Sequence, residues 1–82
     1  MHIKSLRGDL EDYLKVHNLS KKYEKAKMLF ENNPFHPSLN TEILEPKERL
    51  VYLFRLNKKY RAIFIDVDVE TVEIMALTNH YK

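Results

Sequence analysis

The chain has no cysteine, no tryptophan and a single glycine. Without cysteine there is neither a disulfide framework nor a thiolate metal site to staple so short a chain; this fits a reducing compartment and leaves stability to packing and to partners. No stretch approaches the roughly 18 apolar residues needed to span a bilayer. The opening Met1-His2-Ile3-Lys4-Ser5-Leu6-Arg7 also lacks the apolar core of a secretory signal. A cytoplasmic location and no membrane partner are expected. Charge of one sign is lacking too: 14 Lys and Arg against 12 Asp and Glu leave a net charge of +2, well short of the imbalance of a protein that coats DNA.

What is present is the composition of a folded protein, 44% apolar and 32% charged, in 82 residues. A chain of this length is one domain, residues 1–82, able to bury about 60–65% of the surface its unfolded form exposes. Its charges are sorted along the sequence. Cations concentrate at 21–27 and 47–61, acids at 9–12, 42–48 and 66–73, so a polyanion would find local cationic surface.

Leu6, Leu10, Tyr13 and Leu14 recur at helical spacing and predict a first helix over 6–17. Ser20 reads as the N-cap of a second, over 21–32, whose apolar stripe is Tyr23, Ala26, Leu29 and Phe30. The run Lys21-Lys22-Tyr23-Glu24-Lys25-Ala26-Lys27 is a solvated helix face, or one that lies along RNA phosphates. Asn33-Pro34-Phe35-His36-Pro37 must break the helix, because proline lacks an amide donor and displaces its predecessor from helical dihedrals. His36 there is expected to satisfy loop backbone groups.

Beyond residue 40 the period changes from helical to alternating, weakly at 42–44 and clearly at 50–56, 60–67 and 71–77. Residues 1–5 are a candidate edge strand. The expected fold is α+β: an N-terminal helical hairpin packed on one face of a twisted antiparallel sheet of three to five strands. A three-residue loop, Asn57-Lys58-Lys59, would set Arg55 opposite Arg61 on the face carrying Val51, Leu53, Ile63 and Ile65. A two-residue loop at Lys58-Lys59 would separate the arginines, but lysines suit its positive φ angles poorly. Tyr52, Phe54, Leu56, Tyr60 and Phe64 would take the other face.

Three segments together, Asn33-Pro-Phe-His-Pro-Ser-Leu-Asn40, Tyr52-Leu-Phe-Arg-Leu-Asn-Lys-Lys-Tyr-Arg-Ala-Ile-Phe64 and Asn79-His80-Tyr81, resemble the RelE/ParE superfamily of type II toxins, most of all its YoeB-like and short RelE-like members. The resemblance covers about three quarters of the chain. It implies a ribosome-dependent endoribonuclease, an mRNA interferase that cuts messenger in the ribosomal A site, contacts ribosomal RNA and is restrained by a cognate antitoxin protein. It also implies Arg61, His80, Tyr81 and Glu42 as catalytic residues.

RNA cleavage by attack of a 2′-hydroxyl on its own phosphate needs a base, an acid and cations for the developing charge. Glu42 is the candidate base and His80 the candidate acid, with exchangeable roles. Arg61, with Arg55 behind it, would grip phosphate. Tyr81 would stack on a base or hold phosphate, and Lys58 and Lys59 at the loop would touch RNA. For Arg55 the competing reading is an ion pair with Asp66 or Glu73. The histidines at 2, 17, 36 and 80 lack the spacing of a zinc site, and no metal or cofactor is expected. Two other functions stay open: a non-enzymatic inhibitor of DNA gyrase of the ParE kind, and an inactive binding module that keeps the fold.

Overall fold

The computed structural model describes residues 1–79. Five strands, β1 (His2–Ile3), β2 (Glu42–Ile43), β3 (Val51–Arg55), β4 (Arg61–Asp68) and β5 (Thr71–Thr78), form one sheet in the order β1-β5-β4-β3-β2. Strands β2 to β5 are the expected antiparallel meander. The candidate strand near the N-terminus does form, but it runs parallel to β5, His2 beside Thr71 and Ile3 beside Val72. The sheet is therefore mixed, not purely antiparallel. A two-residue strand has no periodicity from which its direction could be read.

Helices α1 (Gly8–Val16) and α2 (Ser20–Asn32) cover one face of this sheet. Helix α1 starts two residues later than the apolar spacing predicts; Leu6 still packs against the core from outside the helix. Arg7 occupies the cap position, its guanidinium forked onto the Asp9 carboxylate at 3.0 and 3.2 Å. Its Nη2 also donates to the Met75 carbonyl at 3.1 Å. Met75 falls where the β4–β5 register slips, between the pairs Ile63–Ala76 and Phe64–Ile74, so Arg7 ties the start of α1 to a bulge in β5.

Ser20 is not the cap of α2 but its first residue, and Leu19 holds the cap position with no side-chain bond. The reason lies in how α1 ends. Asn18 adopts φ 56°, and the amides of Asn18 and Leu19 donate back to the carbonyls of Lys15 at 3.2 Å and Leu14 at 2.7 Å. This is a Schellman ending, with asparagine in the left-handed position that glycine usually fills. Its apolar contact is Leu14 with Leu19, both in the core. Burying Leu19 at the turn takes the cap position from Ser20.

The core centres on Phe30, whose ring lies 5.2 Å from Phe54 and 5.1 Å from Phe64. Leu10, Leu14, Tyr23 and Ala26 from the helices meet Ala62, Val72, Ile74 and Leu77 from the sheet around it. The alternation along the central strands matches expectation: Phe54, Ala62 and Phe64 are buried under the helices, while Val51, Ile63 and Ile65 are half-exposed on the other face. Edge strand β1 is also held from the helix layer. The Glu31 carboxylate accepts the outward-pointing amide of Ile3 at 2.9 Å and lies 3.2 Å from His2 Nδ1, occupying an edge donor that another chain would otherwise pair with.

Two outcomes follow. Asn18→Gly should leave stability nearly unchanged, whereas Asn18→Val should cost about 1–2 kcal/mol, the penalty for a β-branched residue in the left-handed region, as read by urea denaturation. Burial, aided by Glu24 and Glu31, pushes the Tyr23 hydroxyl up to about 12. A pKa raised on folding stabilises below the unfolded value near 10 and loses that contribution as pH climbs through the folded value. Stability should fall by roughly 1–3 kcal/mol between pH 10 and 12, and Tyr23→Phe should flatten that fall in melts recorded across the same range.

Candidate active site on the uncovered sheet face

The helices cover one side of the sheet, and on the other the side chains stand in cross-strand rows, exposed or half-buried except for Leu53. Pairing puts Glu42 beside Leu53, Leu53 beside Ile63 and Ile63 beside Ala76. The next row runs Arg55, Arg61, Thr78. Directly opposed residues share a face, so Glu42, Arg55 and Arg61 project from the same apolar floor of Leu53, Ile63 and Ile65. Glu42 and Arg55 are diagonal neighbours about 7–8 Å apart at the backbone. Arg61 lies one strand further on, at a spacing of about 4.8 Å.

The expected register of the β3–β4 hairpin holds: Arg55 is the partner of Arg61, and Leu56 donates to the Tyr60 carbonyl at 3.0 Å. The three loop residues turn without glycine because Asn57 supplies the missing closure. Its Oδ1 accepts the amides of Lys59 at 2.8 Å and Tyr60 at 2.7 Å.

Arg61 also serves this loop. Its Nη1 donates to the carbonyls of Lys58 at 3.0 Å, Asn57 at 3.2 Å and Tyr60 at 3.4 Å. With Nη1 held, the edge formed by Nε and Nη2 has no acceptor among the described residues. That edge is the one Arg7 uses for its two bonds to Asp9, and it matches two oxygens of a carboxylate or phosphate equally well. Arg61 is thus half-buried and oriented by its own turn.

Arg55 is exposed and makes no ion pair with Asp66 or Glu73 among the described residues; Glu73 instead lies 3.8 Å from Lys4. Strand β2 pairs only with Tyr52 and Leu53, so Arg55 has no direct partner on that strand and lies at an open stretch of the β3 edge, where it also lines a groove with Lys21, Lys22 and Lys25 of α2. Lys58 and Lys59 are exposed at the hairpin tip, with the Lys59 ammonium 5.5 Å from the centre of the Tyr60 ring. His36 behaves as a loop residue, its Nδ1 accepting the Ser38 amide at 3.1 Å. His80 and Tyr81 lie outside the described residues. Among those described, no three His, Asp or Glu side chains converge as metal ligands, and no helix is long and apolar enough to cross a membrane.

One cluster escaped the sequence. His17, at the end of α1, lies 4.2 Å from the Tyr13 ring and 5.5 Å from the Tyr60 ring, and its Nδ1 is 3.2 Å from the Tyr60 hydroxyl. The signal for half of it was there, since Tyr13 and His17 are four residues apart on a helix. Tyr60 joins them only through the packing of hairpin on helix.

If the Nη1 contacts hold the turn, Arg61→Ala should destabilise the domain by about 1 kcal/mol. Arg61→Lys, which keeps a cationic donor, should lose less than half of that in the same urea titration.

No family model matches the chain, and no curated protein is similar to it in sequence. Among solved structures it is similar to a YoeB/ParE toxin from Agrobacterium tumefaciens, with a TM-score of 0.73 over 99% of this chain and 100% of that one, at 14% sequence identity. A likeness at that identity is one of architecture: the pair of helices on a five-stranded sheet is the fold that this toxin has.

Proposed function

We propose that the protein is the toxin of a type II toxin-antitoxin system, an endoribonuclease that cuts mRNA in the ribosomal A site without a metal and is silenced by a cognate antitoxin. The observation that carries this reading is the alignment of a carboxylate and two guanidinium groups, Glu42, Arg55 and Arg61, on the sheet face the helices leave open. The toxin fold supports it.

In the proposed reaction the 2′-oxygen bonds to phosphorus as the bond from phosphorus to the 5′-oxygen breaks, leaving a 2′,3′-cyclic phosphate and a 5′-hydroxyl. Glu42 takes the proton from the 2′-hydroxyl, and the acid that protonates the leaving oxygen is His80. The Nε and Nη2 edge of Arg61 receives the phosphate oxygens as their charge grows, with Arg55 adding a second positive charge. Thr78, the cross-strand partner of Arg61, is two residues from His80 in sequence. Tyr81, one residue on, holds the phosphate or stacks on a base. Ribosomal RNA contacts fall to Lys58 and Lys59.

Primer extension on a reporter messenger after induced expression tests this. Wild type should yield discrete cleavage ends, and Glu42→Gln, Arg61→Ala and His80→Ala should each reduce them by about 100-fold or more. Growth arrest with intact messenger and trapped gyrase on DNA would replace this reading with the gyrase-inhibitor one. No arrest with soluble protein present would leave only a binding module.

A further inference from the structure

Two cavities adjoin at the end of the molecule where α1 passes to α2. The first, of about 380 Å³, has Lys21, Lys22 and Lys25 on one wall and Arg55 on the other; its neighbour shares Lys21 and Lys22 and adds Lys15. No acidic side chain lines either one. Clefts elsewhere mix their charges: Lys4, Lys15 and Lys27 face Glu11 and Glu24 in one, and Glu31 and Glu70 border another. Among the described residues Lys21, Lys22, Lys25 and Arg55 have no ion-pair partner. Cations gathered along one cavity raise the local positive potential, which favours an anionic ligand there.

A second feature lies at the same corner. The rings of Tyr13, His17 and Tyr60 line neither cavity but adjoin residues that do: Asn57, which lines the first, accepts the Tyr60 amide at 2.7 Å, and His17 precedes Asn18, which lines the second. His17 is exposed and Tyr60 half-exposed. A cationic groove beside accessible rings is the pairing that single-stranded nucleic acid exploits, phosphates tracking the charge while a base stacks on a ring.

We propose that this corner is a binding surface for single-stranded RNA, with successive phosphates along Lys21, Lys22, Lys25 and Arg55 and one base stacked against Tyr60 and His17. An acidic peptide would answer the charge but give the rings nothing to do. Arg55 belongs to both surfaces, being the ladder partner of Arg61, so a strand held in the groove is led toward the sheet face. In that respect the inference rests on the nuclease reading, but binding is measurable without cleavage.

The probe is a fluorescein-labelled oligoribonucleotide of twelve uridines with 2′-O-methyl riboses, which has no 2′-hydroxyl and cannot be cut. Its anisotropy is titrated at several salt concentrations with wild type and variants whose folding is verified by thermal melts. K21Q/K22Q/K25Q should bind at least about 10-fold more weakly, and should flatten the slope of log affinity against log salt by about 2, near 0.7 for each phosphate that is no longer neutralised. Tyr60→Leu should weaken binding by about 5- to 100-fold. Tyr60→Phe, which keeps the ring and loses the hydroxyl, should bind as wild type does, and so should K4Q/K27Q in the charge-balanced cleft. Unchanged affinity and slope in the triple lysine variant would overturn the proposal. So would a triple variant that keeps the oligonucleotide but loses a labelled poly-glutamate peptide, which would assign the corner to an acidic protein. Because the probe is uncleavable, absence of nuclease activity alters none of these outcomes.

Discussion

The seating of one phenylalanine ring decides the arrangement of this protein. Phe30 projects from α2 between Phe54 and Phe64 of the two central strands, and Tyr52 stacks on Phe64 at 5.4 Å to extend the cluster. Aromatic rings bury more surface than any other side chains, and a domain this small has room for one such centre. With two helices available, only one face of the sheet can be served. Among the described residues no further element covers the opposite face, and there the cationic and acidic side chains of neighbouring strands stand together.

That division explains how a domain with a minimal core can carry a surface of grouped charged side chains. The floor of the open face is still apolar, with Leu53 almost fully buried and Ile63 and Ile65 half-buried. Charges set on an apolar floor interact more strongly than they would in bulk water. Arg61 gains further from its turn. Holding Nη1 on the loop carbonyls restrains the guanidinium before any ligand arrives, which lowers the ordering cost of a bidentate contact through its remaining edge. The same hairpin thus provides a strand pair and a pre-aimed cation.

Much of this was legible in the sequence, for identifiable reasons. The α+β class and the identity of the buried face follow from a change of period that needs no tertiary knowledge. The pairing of Arg55 with Arg61 was readable because two lysines are unsuited to the tighter turn that would have set the arginines apart. The location of Glu42 on their face depended on β2 forming at all, and only the weak alternation at 42–44 suggested it. What sequence could not reveal was set by contacts between distant segments. Nothing in His2-Ile3 encodes a parallel partnership with β5, nor names Glu31, 28 residues further on, as acceptor for the Ile3 amide. Ser20 read as a cap because local preference favoured it, and the burial of Leu19 overrode that preference. The meeting of His17 with Tyr60 required the hairpin to be placed on α1.

The parallel pairing of β1 with β5 has a bearing on how the molecule is made. Ile3, buried to 1% exposure, leans on Val72, and the core side chains Val72, Ile74 and Leu77 all belong to the last strand. A nascent chain that has emerged only as far as β4 therefore has its helices and half a sheet but no closed core, and its first strand has nothing to lie against. Contacts this distant in sequence form slowly and late. Synthesis must run nearly to the end of the described chain before the protein can acquire a native fold, so translation itself times its maturation.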